Sequence, residues 1–349
     1  TEAELLAQIE RDPSQDPRDY NNYLEVEDSP AGFFQLMVLQ RVGPQFFLFW
    51  HAAYNDTRVI TNREALNQVL DKEYFGSRLP TTVQLRAKLL KTEPVIRMEK
   101  DRVTLEVVAF PQDGVVRDPG ARDYVEEAIR LGADVVGGIP WIEYTDKDAQ
   151  EHIDQMFEIA MRYDKPVSML IDDAGDATLR TLEMLAVKTI ETGWEGRVTA
   201  QHCRAMALYP EPYYRKIEYL LKRAKIGVVS DPQTGPLYAR VRDLYQAEVR
   251  IALGQDDIAD AYYPFGRNNM LEVAFLAAHL MWMNSRPEME ILYNLITTNA
   301  AEALGLEGHK LEVGGKADLV VLEANAVWEA IWNHDAPRFV VKNGKLIKG

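Results

Sequence analysis

Short apolar runs in the middle of the chain each break off into residues that can hydrogen-bond, move a proton or hold a cation. "VVAFP" leads to Gln112, "GGIP" to Trp141 and Glu143, "PVSMLI" to Asp172 and Asp173, "GRVTAQ" to His202, and "RIALGQ" to Asp256 and Asp257. A histidine among carboxylates can act as acid or base near neutral pH once burial and neighbouring charge tune the set. A glutamine beside them can orient a polar, planar molecule. Each residue also has an ordinary reading. An aspartate after a strand commonly caps a helix or closes an Asx turn. His202 can be a hydrogen-bonded core histidine, and Trp141 can simply pack. Several such groups gathered at one edge favour a site over these separate roles.

The elements that must position them follow from the pattern. From about residue 80, helical segments such as "ARDYVEEAIRLG" and "DAQEHIDQMFEIAMRYD" alternate with the short strands "TLEVVAF", "DVVGGI", "PVSMLI", "GRVTAQH", "IGVVS" and "RIALG". Alternation of this kind makes βαβ units and a parallel sheet. No Gly-rich phosphate loop follows any of the strands, so the expected fold is α/β, a TIM-like, distorted β/α barrel, with its reactive groups at the C-terminal strand ends. Three parts are expected: an N-terminal α+β module over 1–79, the barrel over 80–306, and a C-terminal β-strand segment over 307–349 containing "ADLVVLE" and "PRFVVKNGKLIKG". In the first part, "GFFQLMVLQRV" and "QFFLFWHAAYNDTRVI" flank the turn "GPQ" and read as a hairpin before the helix "NREALNQVLDKEY".

Composition removes some classes of function. The chain has 349 residues, 47% of them hydrophobic, which suffices for a sizeable core. Its formal net charge of −15, with no basic stripe, argues against nucleic acid or an anionic membrane as partner and for a small-molecule substrate. The one cysteine, Cys203, excludes an intrachain disulfide framework and a thiolate zinc cluster. There is no signal-peptide pattern and no apolar run of about 18 residues. A cytoplasmic protein is therefore expected, with homo-oligomerisation through the apolar hairpin as an open possibility.

The stretches "LEVVAFPQDG", "EEAIRLGADVVGGIP", "GRVTAQHCRAMALY", "GQDDIADAYYPFGRNNML", "LITTNAAEALGL" and "VGGKADLVVLEA" resemble, in order and spacing, the cytosine deaminase branch of the amidohydrolase superfamily, including its relatives acting on substituted triazines. The resemblance implies a barrel holding a divalent metal that activates water against a ring carbon bearing nitrogen. By motif, it implies that Gln112 bonds the ring edge of the substrate, Asp173 shuttles a proton, and His202 lies beside the metal. Asp256 would ligate the metal and take the proton of the water, Asp257 would contact the ring, and Tyr262 would line the pocket.

The chain departs from that pattern in ways that bear on chemistry. The family's first strand carries a His-x-His pair, whereas the six histidines here, His51, His152, His202, His279, His309 and His334, include no such pair. Leu170 stands where the fifth strand would end in a ligand histidine. Residues 1–79 do not resemble the family's usual start. The expectation is thus an enzyme that uses Asp173, His202 and Asp256 as catalytic acid–base groups, with Gln112, Trp141, Asp172, Asp257 and Tyr262 binding substrate and no metal cofactor. The alternatives are a metal-dependent C–N hydrolase, its ion held at His202 and Asp256 with Asp172 or Asp173, and a non-catalytic binding or scaffold subunit.

Overall fold

The computed structural model describes residues 106–256, 265–267 and 269–348, together with the backbone of four short strands nearer the N-terminus. Of these four, β1 (Phe34–Met37) pairs antiparallel with β4 (His51–Tyr54), and β2 (Gln40–Arg41) with β3 (Phe47–Leu48), as a hairpin requires. The helix expected after them, and what the hairpin packs against, lie outside the described residues.

A six-stranded parallel sheet in strict sequential order carries the rest: β5 (Val108–Ala109), β6 (Val135–Gly138), β7 (Val167–Ile171), β8 (Val198–His202), β9 (Gly227–Ser230) and β10 (Ile251–Leu253). Each parallel step needs a crossover. The crossovers are α1 (Ala121–Arg130), α2 (Asp146–Tyr163), α3 (Thr181–Thr192), α4 (Glu211–Ala224) and the short α5 (Val241–Gln246). The order and the one-directional pairing are those of an arc of a distorted β/α barrel; among the described residues the arc is not closed.

Local chemistry accounts for the helices. In α2, Thr145 caps the N-terminus by accepting the Asp148 N–H at 3.2 Å, and Asp146 and Asp148 stand in the first turn, favoured by the helix dipole. The helix stops where Asp164 turns left-handed at φ 53°. Its buried residues Ala149, His152, Ile153, Met156, Phe157 and Ala160 recur at helical spacing and form the stripe that meets the sheet.

In β7 and β8 burial alternates. Val167, Met169, Ile171, Val198 and Ala200 are buried and join Met156, Phe157, Leu182, Leu185, Ile217 and Leu221 in one core. Burying each large apolar side chain contributes roughly 1.5–3 kcal/mol. Ser168, Leu170, Thr199 and Gln201 alternate with these and are half-buried; Leu170 is in register with Gln201, whose amide donates to Ser168 Oγ at 3.0 Å. The strand frame around Leu170 is therefore intact, with an aliphatic side chain on the face opposite the helices.

Three further helices, α6 (Met270–Leu280), α7 (Arg286–Leu295) and α8 (Thr298–Ala303), follow the sheet, and α8 packs on β9 and β10. The contact is close at Gly227, where a Cβ would come 2.0 Å from the carbonyl oxygen of Ala303, so no larger residue fits. The chain ends in β11 (Leu319–Val321), helix α9 (Val327–Asn333), β12 (Phe339–Lys342) and β13 (Lys345–Lys348). Its three strands pair antiparallel in that order, apart from the parallel sheet. Among the described residues no helix is long and apolar enough to cross a membrane.

Candidate active site

Parallel strands deliver their C-terminal ends to one edge, and at that edge the backbone turns sharply. Asp172 (φ 45°) after β7, His202 (φ 65°) and Cys203 (φ 53°) at the end of β8, and Asp256 (φ 62°) after β10 all adopt the left-handed conformation. Such backbone is costly for non-glycine residues and gathers where a side chain must be aimed. At His202 it ends the alternation along β8, and the imidazole enters a polar cluster.

His202 Nδ1 lies 2.9 Å from Asp231 Oδ1. A carboxylate only accepts, so Nδ1 carries the proton and donates, leaving Nε2 to face the site. Nε2 is 3.9 Å from Asp173 Oδ2. Arg204 closes the network, with Nη1 3.0 Å from Asp173 Oδ1 and Nη2 2.9 Å from Asp231 Oδ2. Nη2 also donates to Thr234 Oγ1 at 2.6 Å, and the Thr234 hydroxyl donates to Asp231 Oδ2. Burial of these side chains is nearly complete: 10% exposed for His202, 6% for Asp231, 15% for Asp173 and 14% for Arg204.

Removal from water and mutual charge act against each other here. Burial pulls the His202 imidazole down, but the Asp231 hydrogen bond and the charges of Asp231, Asp173 and Asp256 outweigh it, so the ring holds its proton above its ordinary value. Burial pushes Asp231 up, and the His202 hydrogen bond and charge, with Thr234 and Arg204, bring it below the usual carboxylate range. Asp173 goes the other way. Burial raises it, and the positive charges of His202 and Arg204 only partly offset that. The imidazole and the carboxyl, 3.9 Å apart, thus both bind a proton more readily than in water.

The expected site residues divide into groups. Asp173, His202 and Asp256 come together: Asp256, exposed at the edge, has a carboxylate oxygen within 4.8 Å of ligand atoms of both His202 and Asp231. Gln112 is half-buried in the turn directly after β5, at the same edge of the sheet. Trp141 follows β6, and its buried indole Nε1 has no hydrogen-bond partner, a donor open to a ligand.

Asp172 and Glu143 are used for structure. Fully buried, Asp172 accepts Thr181 N at 3.0 Å, Thr181 Oγ1 at 2.5 Å, Leu182 N at 3.3 Å and the hydroxyl of Tyr209. Its oxygens anchor the start of α3, so the substrate contact expected of Asp172 has no free acceptor to make it. Glu143 accepts the backbone N–H groups of Val115, Val116 and Arg117 at 2.7, 3.1 and 3.0 Å, and His152 Nδ1 donates to it at 2.7 Å. That clamp holds the loop leaving Gln112. Asp257 and Tyr262 lie outside the described residues.

Asp231, Arg204 and Thr234 escape the sequence reading. Asp231 is the polar residue directly after the strand "IGVVS", so the rule that selected the other strand-end residues also applies to it. Nothing in the spacing signals Arg204 or Thr234.

A divalent metal is what the family resemblance implies, and the donors present fit it poorly. Among the described residues His202, Asp231 and Asp256 form the group that could hold an ion. Catalytic sites commonly bring three protein ligands of suitable type, usually two or more of them histidines or thiolates. Here one nitrogen is on offer, and Asp231 is already engaged by His202, Arg204 and Thr234. Leu170 supplies no donor.

Comparison with known proteins agrees with the fold. The chain is 29% identical over 275 residues to the N-isopropylammelide isopropyl amidohydrolase of Pseudomonas sp. strain ADP, covering 78% of this chain and 68% of that protein. It is 27% identical over 265 residues to the pterin deaminase of Rhizobium rhizogenes, covering 71% of this chain and 59% of the relative. The structure superposes with TM-score 0.70 on 5-methylcytosine deaminase from Klebsiella pneumoniae liganded with phosphonocytosine, at 31% identity over 77% of this chain and 68% of that one. The model of the amidohydrolase family matches residues 79–347, and the chain belongs to that family.

Proposed function

We propose that the protein is an amidohydrolase acting on a small, planar, nitrogen-containing ring by acid–base chemistry, with Asp173 and His202 as proton donors and Asp256 as base. The observation that carries this is the orientation of His202: Asp231 fixes Nδ1 at 2.9 Å, and Nε2 is turned toward Asp173 at 3.9 Å. The relatives support the substrate class, since ammelides, pterins and methylcytosine are all nitrogen heterocycles.

In the reaction, Asp256 takes a proton from water as its oxygen bonds the ring carbon bearing the exocyclic nitrogen. Asp173 gives its proton to the adjacent ring nitrogen, and His202 hydrogen-bonds the new hydroxyl through Nε2–H. Asp256 then passes the proton it took to the exocyclic nitrogen, the C–N bond breaks, ammonia or an amine leaves with the bonding pair, and the hydroxyl proton returns to Asp173. The product is the ring carbonyl compound. Gln112 and Trp141 orient the ring edge, and substrate contacts by Asp257 and Tyr262 are what the family resemblance implies.

A metal-dependent C–N hydrolase is the second reading, and the proximity of His202, Asp231 and Asp256 within 4.8 Å favours it. Calorimetric titration of the purified chain with cytosine, a pterin and an ammelide tests the acid–base proposal. Saturable binding of one of them, weakened in Asp173→Asn, is expected. Absence of binding across the three would leave the scaffold alternative standing and defeat the enzymatic reading.

A further inference from the structure

We infer that Arg204 is the resident cation of this site, a guanidinium bridging the two carboxylates beside His202 and thereby excluding a divalent metal from them. The acidic groups around the imidazole are Asp173, Asp231 and Asp256. Two of them, Asp173 and Asp231, are largely buried and demand positive charge, since unpaired buried charge is costly.

Arg204 supplies that charge in a form no pH change near neutrality removes. Its planar fork spans the gap, Nη1 at 3.0 Å from Asp173 Oδ1 and Nη2 at 2.9 Å from Asp231 Oδ2. Thr234 Oγ1, 2.6 Å from Nη2, fixes the second arm. Gly235 lies against the flat group, where a Cβ would stand in van der Waals contact with Arg204 Nε at 3.4 Å and Cζ at 3.5 Å.

The consequence is competition. A divalent ion drawn to His202 and its carboxylates would contact the oxygens that Arg204 already holds, and two cations cannot share them without strong repulsion. The loss of a ligand position at Leu170 and the presence of a bridging arginine thus agree. The same bridge also fixes Asp173 and Asp231 on either side of the imidazole, so Arg204 is a positioning residue for the proton-transfer pair.

The test is a Co²⁺ titration of the full chain followed by visible absorption, with wild type, Arg204→Met and Arg204→Lys compared. Because no substrate is present, the result is read apart from turnover, and failure here leaves the acid–base reading to be judged by its own assay. Wild type and Arg204→Lys are expected to show no saturable Co²⁺ bands at His202. Arg204→Met should gain at least tenfold in Co²⁺ affinity, and the gain should vanish in the Arg204→Met, His202→Ala double variant. One equivalent of Co²⁺ bound by wild type with bands lost in His202→Ala overturns the inference, as does a folded Arg204→Met that binds Co²⁺ no better than wild type. Should Arg204→Met not fold, the wild-type titration and its His202→Ala control still decide the matter.

Discussion

Asp231 Oδ1 accepts the Nδ1–H of His202 at 2.9 Å, which leaves Nε2, 3.9 Å from Asp173 Oδ2, as the ring's other polar atom. This one bond sets the tautomer and the direction of the ring, and with the charges of Asp231, Asp173 and Asp256 it raises the ring's proton affinity.

Asp231→Asn should therefore lower kcat/KM by about 10–100-fold, the usual scale for losing a carboxylate that orients a functional histidine. The pH profile distinguishes this from a purely structural effect. Asp231 helps hold the His202 proton, so the basic limb of the profile should move to lower pH in the variant. A rate loss with an unmoved limb would assign Asp231 to packing.

Asp172 belongs to the scaffold, and its removal should be read in stability. Asp172→Ala strands the donors of Thr181, Leu182 and Tyr209 in a buried place, at roughly 1–3 kcal/mol for each group left unsatisfied. A loss of about 3 kcal/mol or more is expected in urea unfolding. A variant of unchanged stability that had lost substrate affinity would return Asp172 to the site.

The Glu143 and His152 pair predicts how stability responds to acid. Burial lowers His152 below its ordinary 6.5, Glu143 only partly restoring it, and Ile139 N–H donates to Nε2 at 3.1 Å, so the folded ring is neutral. Burial raises Glu143, but His152 and the N–H groups of Val115 and Val116 outweigh that and hold it below 4.5. Both groups bind protons more readily in the unfolded chain, so the stability this pair contributes rises with pH. The His152 contribution is complete above about pH 6.5 and is lost as pH falls toward the folded value; the Glu143 contribution is lost later, below about 4.5. On lowering the pH below 6.5, the melting temperature of wild type should fall relative to that of His152→Gln. Because the raised His202 acts in the opposite sense in both proteins, the difference between the two profiles is what is read, and parallel profiles between pH 7 and 5 would contradict this.

The strands were legible because their chemistry is local. Runs such as "PVSMLI" and "GRVTAQH" are apolar, β-prone and bounded by turn residues, and β7 and β8 fall within them. Asp173, His202 and Asp256 were legible because a parallel sheet sends every strand end to one edge. The division of labour between Asp172 and Asp173 was not. Neighbouring aspartates look alike in sequence, and what separates them is the left-handed turn at Asp172 and its bonds to Thr181 at the start of the next helix and to Tyr209, 37 residues away. Arg204 was hidden for a similar reason: its partners are 27 and 30 residues away at Asp231 and Thr234.

The central claim is that protons held by protein side chains carry the reaction. The direct measurement is release of ammonia or amine from cytosines, pterins and ammelides by chelator-treated protein whose metal content has been checked by elemental analysis. Turnover of at least one of these compounds without metal, reduced about 100-fold or more in both Asp173→Asn and His202→Asn, is the predicted result. Turnover that appears only when a divalent ion is restored in stoichiometric amount would contradict it.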